Sequence, residues 1–255
     1  MNENVLFADI PHTLGRGKLL VRKDADANWL DLGHIVTFNT TVETEQLDHF
    51  SSRSGIKKLD KSTITQQTIK GALETDTPRN ENMLLFFMGE TIDADNQVGG
   101  SYTDQAFVVN FNRWTSLNKV NLPATVTVKN AAATVTHVEN TDYVLDRKAG
   151  LLAPVEGGAI TNGVTVKVTV TYPSATINKI VGAKGKNQKR HVWFIGDPAD
   201  GVIQEIKGFA NLIPTGDLAA IGDEWQKFSI ELKFLTHNDY ASLVEYRELG
   251  TQSST

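Results

Sequence analysis

Phe38-Asn39-Thr40-Thr41-Val42-Glu43-Thr44-Glu45 decides the fold class. Its even positions hold Phe, Thr, Val and Thr, and its odd positions Asn, Thr, Glu and Glu. A strand produces that period of two and a helix does not, so one face is dry and the other acidic and wet. Thr63 to Glu74, rich in threonine, glutamine and isoleucine, is a second extended stretch. Between them lies a polar segment with Gly55 and a basic tip of Arg53, Lys57, Lys58 and Lys61 against Asp60. Two long strands joined by such a loop predict a long hairpin.

Outward from the hairpin, most of the chain also reads as β. Lys18 to Arg22 follows the turn Gly15-Arg16-Gly17 as a short strand. Val164, Val166, Val168, Val170 and Tyr172 alternate with Thr165, Lys167, Thr169 and Thr171. Phe228, Ile230, Leu232 and Phe234 alternate with charged or small residues. Ala106 to Phe111, His191 to Ile195 and Gly201 to Ala210 are further strands, and the tail from Gly250 reads as loose. One helix is expected, with Thr77 as N-cap, Pro78 at its first position and Gly89 at its end. The architecture is therefore mainly β: two packed antiparallel sheets, a β-sandwich-like barrel, with one flanking α-helix. Residues 119–177 differ in texture, being rich in valine, threonine, alanine and glycine. They read as a β-rich elaboration or a small inserted module, with 1–118 and 178–255 as the core domain.

Composition narrows the function. The chain has 255 residues, 40% hydrophobic, and a net charge of −5. It can bury a core, and it is too acidic to grip nucleic acid over its whole surface. Without cysteine it has no disulfide, thiolate metal site or cysteine nucleophile. The longest plain apolar run, Met83 to Met88, is far short of a spanning helix. Met1-Asn2-Glu3-Asn4 lacks a signal-peptide start, so a soluble protein not exported by that route is expected.

No catalytic constellation rises above background, and neither a cofactor nor a metal is expected. Gly15-Arg16-Gly17-Lys18 and Gly182-Ala183-Lys184-Gly185-Lys186 lack phosphate-loop spacing. The six histidines, at 12, 34, 49, 137, 191 and 237, are never paired at metal-ligand spacing. Asp93, Asp95 and Asn96 read as an ordinary polar loop, as do Asp142 and Asp146. Lys179 to Arg190, basic throughout, reads as a solvated loop.

A series of soft motifs runs along nearly the whole chain. They are Leu14-Gly15-Arg16-Gly17-Lys18, Leu32-Gly33-His34-Ile35, His49-Phe50-Ser51-Ser52-Arg53-Ser54-Gly55 and Asn80-Glu81-Asn82-Met83-Leu84. Gly196-Asp197-Pro198-Ala199-Asp200-Gly201 and Leu218-Ala219-Ala220-Ile221-Gly222-Asp223-Glu224-Trp225 complete the series. In this order they resemble the major tail tube proteins of long, flexible-tailed bacteriophages.

The resemblance implies a structural, non-enzymatic role in the virion tail, with assembly in the host cytoplasm. Subunits would form hexameric rings stacked into a tube through which genomic DNA passes without specific binding. The implied partners are the chain itself and the tape measure, tail terminator and distal tail proteins, with no membrane. A long loop joins neighbouring rings in that family. Here Ser51, Ser52, Arg53, Ser54, Gly55, Ile56, Lys57, Lys58 and Leu59 are the candidates for it, with Ile56 and Leu59 as apolar anchors. Glu43 and Glu45 are candidates for the lumen, where they would repel phosphates; an ordinary two-faced strand explains them equally. A β-sandwich adhesin or carbohydrate-binding module is the competing reading, motivated by residues 119–177 and by Trp29, Trp114, Trp193 and Trp225. A cell-wall hydrolase would need a pair of carboxylates that the sequence does not single out.

Overall fold

A computed structural model describes residues 13, 15–53, 55–185, 187–198 and 201–252. The first half of the chain forms β1 (Gly17–Arg22), β2 (Leu30–Asp31), β3 (Ile35–Ser51), β4 (Lys58–Thr75), α1 (Asn80–Phe86), β5 (Ile92–Ala94), β6 (Gly100–Val108) and β7 (Thr115–Ser116). Then come β8 (Thr127–Asn130), β9 (Tyr143–Asp146), β10 (Leu151–Pro154), β11 (Thr165–Tyr172) and β12 (Asn178–Ile180). The chain closes with β13 (Gln188–Gly196), β14 (Gly201–Thr215), β15 (Phe228–Leu235) and β16 (Val244–Gln252). It is mainly β, with antiparallel sheets and one helix among the described residues.

The chain divides into two compact units. One is Asp93–Lys179, and the other is made of the chain on either side of it. The segment set apart by texture, 119–177, falls inside the first of these, but the unit begins earlier, at Asp93. The reason is pairing: β6 is hydrogen-bonded to β11 from Gly100↔Tyr172 to Val108↔Thr165, so it belongs with the module rather than with the core domain.

In the larger unit one antiparallel sheet runs in the order β2-β1-β13-β14-β15-β4-β3. β14 is long enough to take two neighbours in tandem on one side, β16 at Gly201–Gly208 and β15 at Phe209–Thr215. Register joins the apolar positions of successive strands into one face: Val21↔Val192, Ala210↔Phe234, Leu212↔Leu232, Ile230↔Leu73 and Leu73↔Phe38. The sheet curls around that face until Phe38 of β3 meets Phe194 of β13, with ring centroids 5.5 Å apart. α1 covers it with Leu85, and Phe86 meets Phe228 edge-on at 5.4 Å. Each fully buried Leu or Phe here stabilises the fold by roughly 1.5–3 kcal/mol.

The opposite face is mixed, with charged groups beside Trp193, His191 and Phe209. Glu43 is bonded to Lys70 at 2.8 Å, and Glu205 lies between Lys207 at 2.8 Å and Arg247 at 2.6 Å. Burial pushes the Glu205 carboxyl up, but the two cations outweigh it and hold the group below the usual carboxylate range.

The helix differs from expectation at both ends. It begins at Asn80 with Arg79 at the N-cap and no side-chain cap, not at Pro78 behind Thr77. The Thr77 hydroxyl instead accepts the His34 N–H at 2.9 Å, so it is taken by the sheet. Asn82 fixes the helix, donating both amide protons, to the Leu32 and Thr77 carbonyls at 2.8 Å. At the other end Gly89 N–H bonds Leu84 C=O and Met88 N–H bonds Leu85 C=O, a Schellman motif. The left-handed residue is therefore Met88, at φ 50°, rather than Gly89.

The second unit holds two three-stranded sheets, β6-β11-β8 and β7-β10-β9, around their own core of Val128, Val166, Val168, Tyr143 and Leu152. Its loops are pinned by buried polar groups. Gln97 donates to the Val120 and Pro173 carbonyls and accepts the Val120 N–H. Asp142 accepts the N–H groups of Val138 and Ala159 at 2.8 and 2.9 Å.

Candidate functional site

β3 and β4 outrun the sheet that holds them. β4 pairs with β15 only from Thr75 to Lys70, whereas β3 and β4 stay paired from Ile35↔Thr75 to Ser51↔Lys58. Beyond Thr41↔Lys70 the two strands have only each other among the described residues, and they project for about 30 Å at roughly 3.3 Å per residue. Among the described residues the outer edge of β3 is unpaired along this length, and so is the outer edge of β16. Such edges invite pairing with another chain. An isolated two-stranded ribbon is marginally stable in water, so the arm is a feature that needs covering.

The arm has two chemically distinct faces. Alternation along β3 and the register to β4 place Val42, Ile69, Ile64, Phe50 and Leu59 on one of them, interleaved with Thr44, Gln67, Gln46, Asp48 and Ser62. This stripe is the direct continuation of the core face, one rung beyond Thr40↔Gly71 and two beyond Phe38↔Leu73. Two bulges keep it in phase. Thr65 and Asp60 are extra residues on β4, so Ile69, Ile64 and Leu59, five apart in sequence, fall on the same side. Val42, Ile64, Phe50 and Leu59 are 50–65% exposed. The other face carries Glu43, Glu45, His49, Lys61 and Lys58, with Leu47 as its one large apolar side chain.

Ser51, Lys58 and Leu59 lie within the strands, and Ser52, Arg53, Gly55, Ile56 and Lys57 form the tip; Ser54 falls outside the described residues. The tip is exposed, Ile56 to 75%. Its basic character is retained, because Asp60 is held by His49 Nδ1. Glu43 and Glu45 share the mixed face of the large sheet, Glu43 already neutralised by Lys70. Val42 stands on the dry face read from the sequence, whereas Phe50 and Ile64 were not read as part of it. Their common face depends on the bulges.

Of the four tryptophans, Trp29 and Trp193 come together edge to face at 5.2 Å, while Trp225 stands 88% exposed on the segment between β14 and β15. Trp114 belongs to the other unit.

A second cluster also escaped sequence spacing. His191 on β13, with its side chain fully buried, points Nε2 at Asp24 Oδ1, 3.1 Å away, and His237 Nε2 lies 3.4 Å from the same oxygen. His191 Nδ1 is 2.9 Å from the Tyr240 hydroxyl. The hydrogen bond from His191 and the charge of both imidazoles hold the Asp24 carboxyl below its usual range, against a smaller desolvation effect. The two histidines are 46 positions apart, and the turn after β1 and the loop after β15 bring the group together.

A family model described as "Protein of unknown function UCP028589" matches residues 12–242. No curated protein matches the chain.

Proposed function

We propose that this chain, which belongs to the family described as protein of unknown function UCP028589, is a self-assembling structural subunit, and specifically the tube subunit of a bacteriophage tail. The observation that carries the self-assembly is the arm: its apolar stripe is the core face of the curled sheet, extended past the point where the subunit can cover it. A second copy supplies the missing cover. Head-to-tail seating closes into a ring or winds into a stack according to its axial offset.

The tube rests on the motif series along the chain. In that reading six subunits form a ring, and the exposed basic tip at Arg53 and Lys57 meets the ring below. Glu43 and Glu45 lie on the wet side of the sheet, suited to a bore that DNA passes without sticking. The neighbours at the tube's length and ends are the tape measure, tail terminator and distal tail proteins, and the place of action is the virion.

Electron microscopy of the purified full chain over a range of concentrations tests this. Rings or tubes are expected. A protein that stays strictly monomeric at every concentration, also with the other tail proteins present, would refute it. The second reading, a carbohydrate-binding module, is favoured by the self-contained core of Asp93–Lys179 and by Trp114, 55% exposed on it. Saturable binding on a glycan array would select it.

A further inference from the structure

We propose that Asp24, His191 and His237 form a binding site for one zinc-class divalent cation, with Asp239 beside it. One donor atom from each of the three residues lies within 4.8 Å of the other two. Tetrahedral zinc with bonds of about 2.0–2.2 Å sets its donor atoms roughly 3.3 Å apart. The Asp24 Oδ1 distances, 3.1 Å to His191 Nε2 and 3.4 Å to His237 Nε2, bracket that edge. Asp239 Oδ2, 4.0 Å from His191 Nε2, is near enough to be a fourth donor after a small side-chain rotation, and water serves otherwise.

The surroundings fit a ligand set. His191 is held rigidly: its ring packs on Phe209 and Trp29, and Nδ1 lies 2.9 Å from the Tyr240 hydroxyl; without a cation Nε2–H faces Asp24, and a cation on Nε2 moves that proton to Nδ1, which then donates to Tyr240. An outer partner on the second ring nitrogen is the usual support for a metal-bound imidazole. In the metal-free arrangement His237 Nδ1 accepts the Asp239 N–H at 3.2 Å, so its proton sits on Nε2 and points to Asp24. A cation on Nε2 moves that proton to Nδ1, which gives up the Asp239 N–H bond; when water rather than Asp239 fills the fourth position, the new N–H faces the Asp239 carboxylate, 3.8 Å away. The site is open on one side, because Asp24 is exposed while His191 is fully buried. Imidazole and carboxylate without thiolate suit zinc and its neighbours rather than calcium or magnesium. The ion would clip the turn after β1 to the loop that leads into β16.

The test is calorimetric titration of zinc alone into chelator-treated full-length protein, repeated with cobalt and read by visible absorption. One equivalent is expected, with a tetrahedral cobalt spectrum and a zinc-dependent rise in melting temperature. Asp24→Asn and His237→Ala should each weaken binding at least tenfold. His34→Ala, at an exposed histidine bonded to Asp76, should leave it unchanged. Absence of stoichiometric binding by the unaltered chain overturns the proposal. So does binding that survives both site substitutions, since the cluster is then a hydrogen-bonded network only.

Discussion

Phe50 pairs with Leu59 at the far end of the arm, on the same face as Phe38 and Leu73 in the core. Leu73 is buried and Phe38 half-buried by their own subunit, whereas the outer pair is exposed. Replacing Phe50 and Leu59 together by serine should therefore leave the stability of the unassembled chain nearly unchanged, within about 0.5 kcal/mol per site, as for exposed positions generally. Assembly should be lost. Sedimentation velocity and microscopy read the second effect, and thermal denaturation the first. A variant that still assembles would remove the stripe from the interface.

Gly150 has φ 66°, and a Cβ there would sit 1.5 Å from the Lys119 carbonyl oxygen. Backbone cannot yield as a side-chain tip does, and the Leu117 N–H bond to Gly150 would go with the shift. Gly150→Ala should cost about 3 kcal/mol or more, by left-handed strain and steric displacement combined. Chemical denaturation followed by signals from the 93–179 unit checks this.

Met88 occupies the left-handed position of the Schellman motif, where glycine is strain-free. Met88→Gly should stabilise the larger unit by about 1 kcal/mol, the left-handed penalty less some lost contact. A higher denaturation midpoint with unchanged slope is the expected reading.

Asp142 is held below the usual aspartate range, first by the Ala159 N–H and then by the Val138 N–H. Its folded value lies under its unfolded one, near 3.9. The stabilisation is thus fully present above pH ~4 and is lost as pH falls through the folded value. Asp142→Asn should melt lower than the unaltered chain at pH 7, and the two curves should converge as pH falls below the folded value. A gap that stays constant with pH would contradict the assignment.

How much of this was legible in the sequence depends on the range of the interaction that decides it. Period two at Phe38–Glu45, Val164–Tyr172 and Phe228–Phe234 is local, and those strands stand where the alternation puts them. The helix start was misread because the Thr77 hydroxyl had a better donor in His34, 43 positions away, than in its own helix. β16 was missed because Tyr246 and Leu249 are exposed and carry no core signal. The boundary at Asp93 rests on β6 pairing with β11, some 60 residues on. The arm was visible as a hairpin. The β4 half of its stripe was not, because without the bulges at Thr65 and Asp60, Ile64 would turn to the face opposite Ile69. The Asp24–His191–His237 group arises only when three loops and strands meet.

Because the greasy interior of the curled sheet does not stop at the subunit's boundary, the polypeptide on its own is an incomplete solution to its folding problem. In the proposed assembly, docking of the next copy is the last step of burial, and thermal resistance should then climb with protein concentration as in an obligate oligomer. The same exposed stripe should make unassembled material prone to self-association.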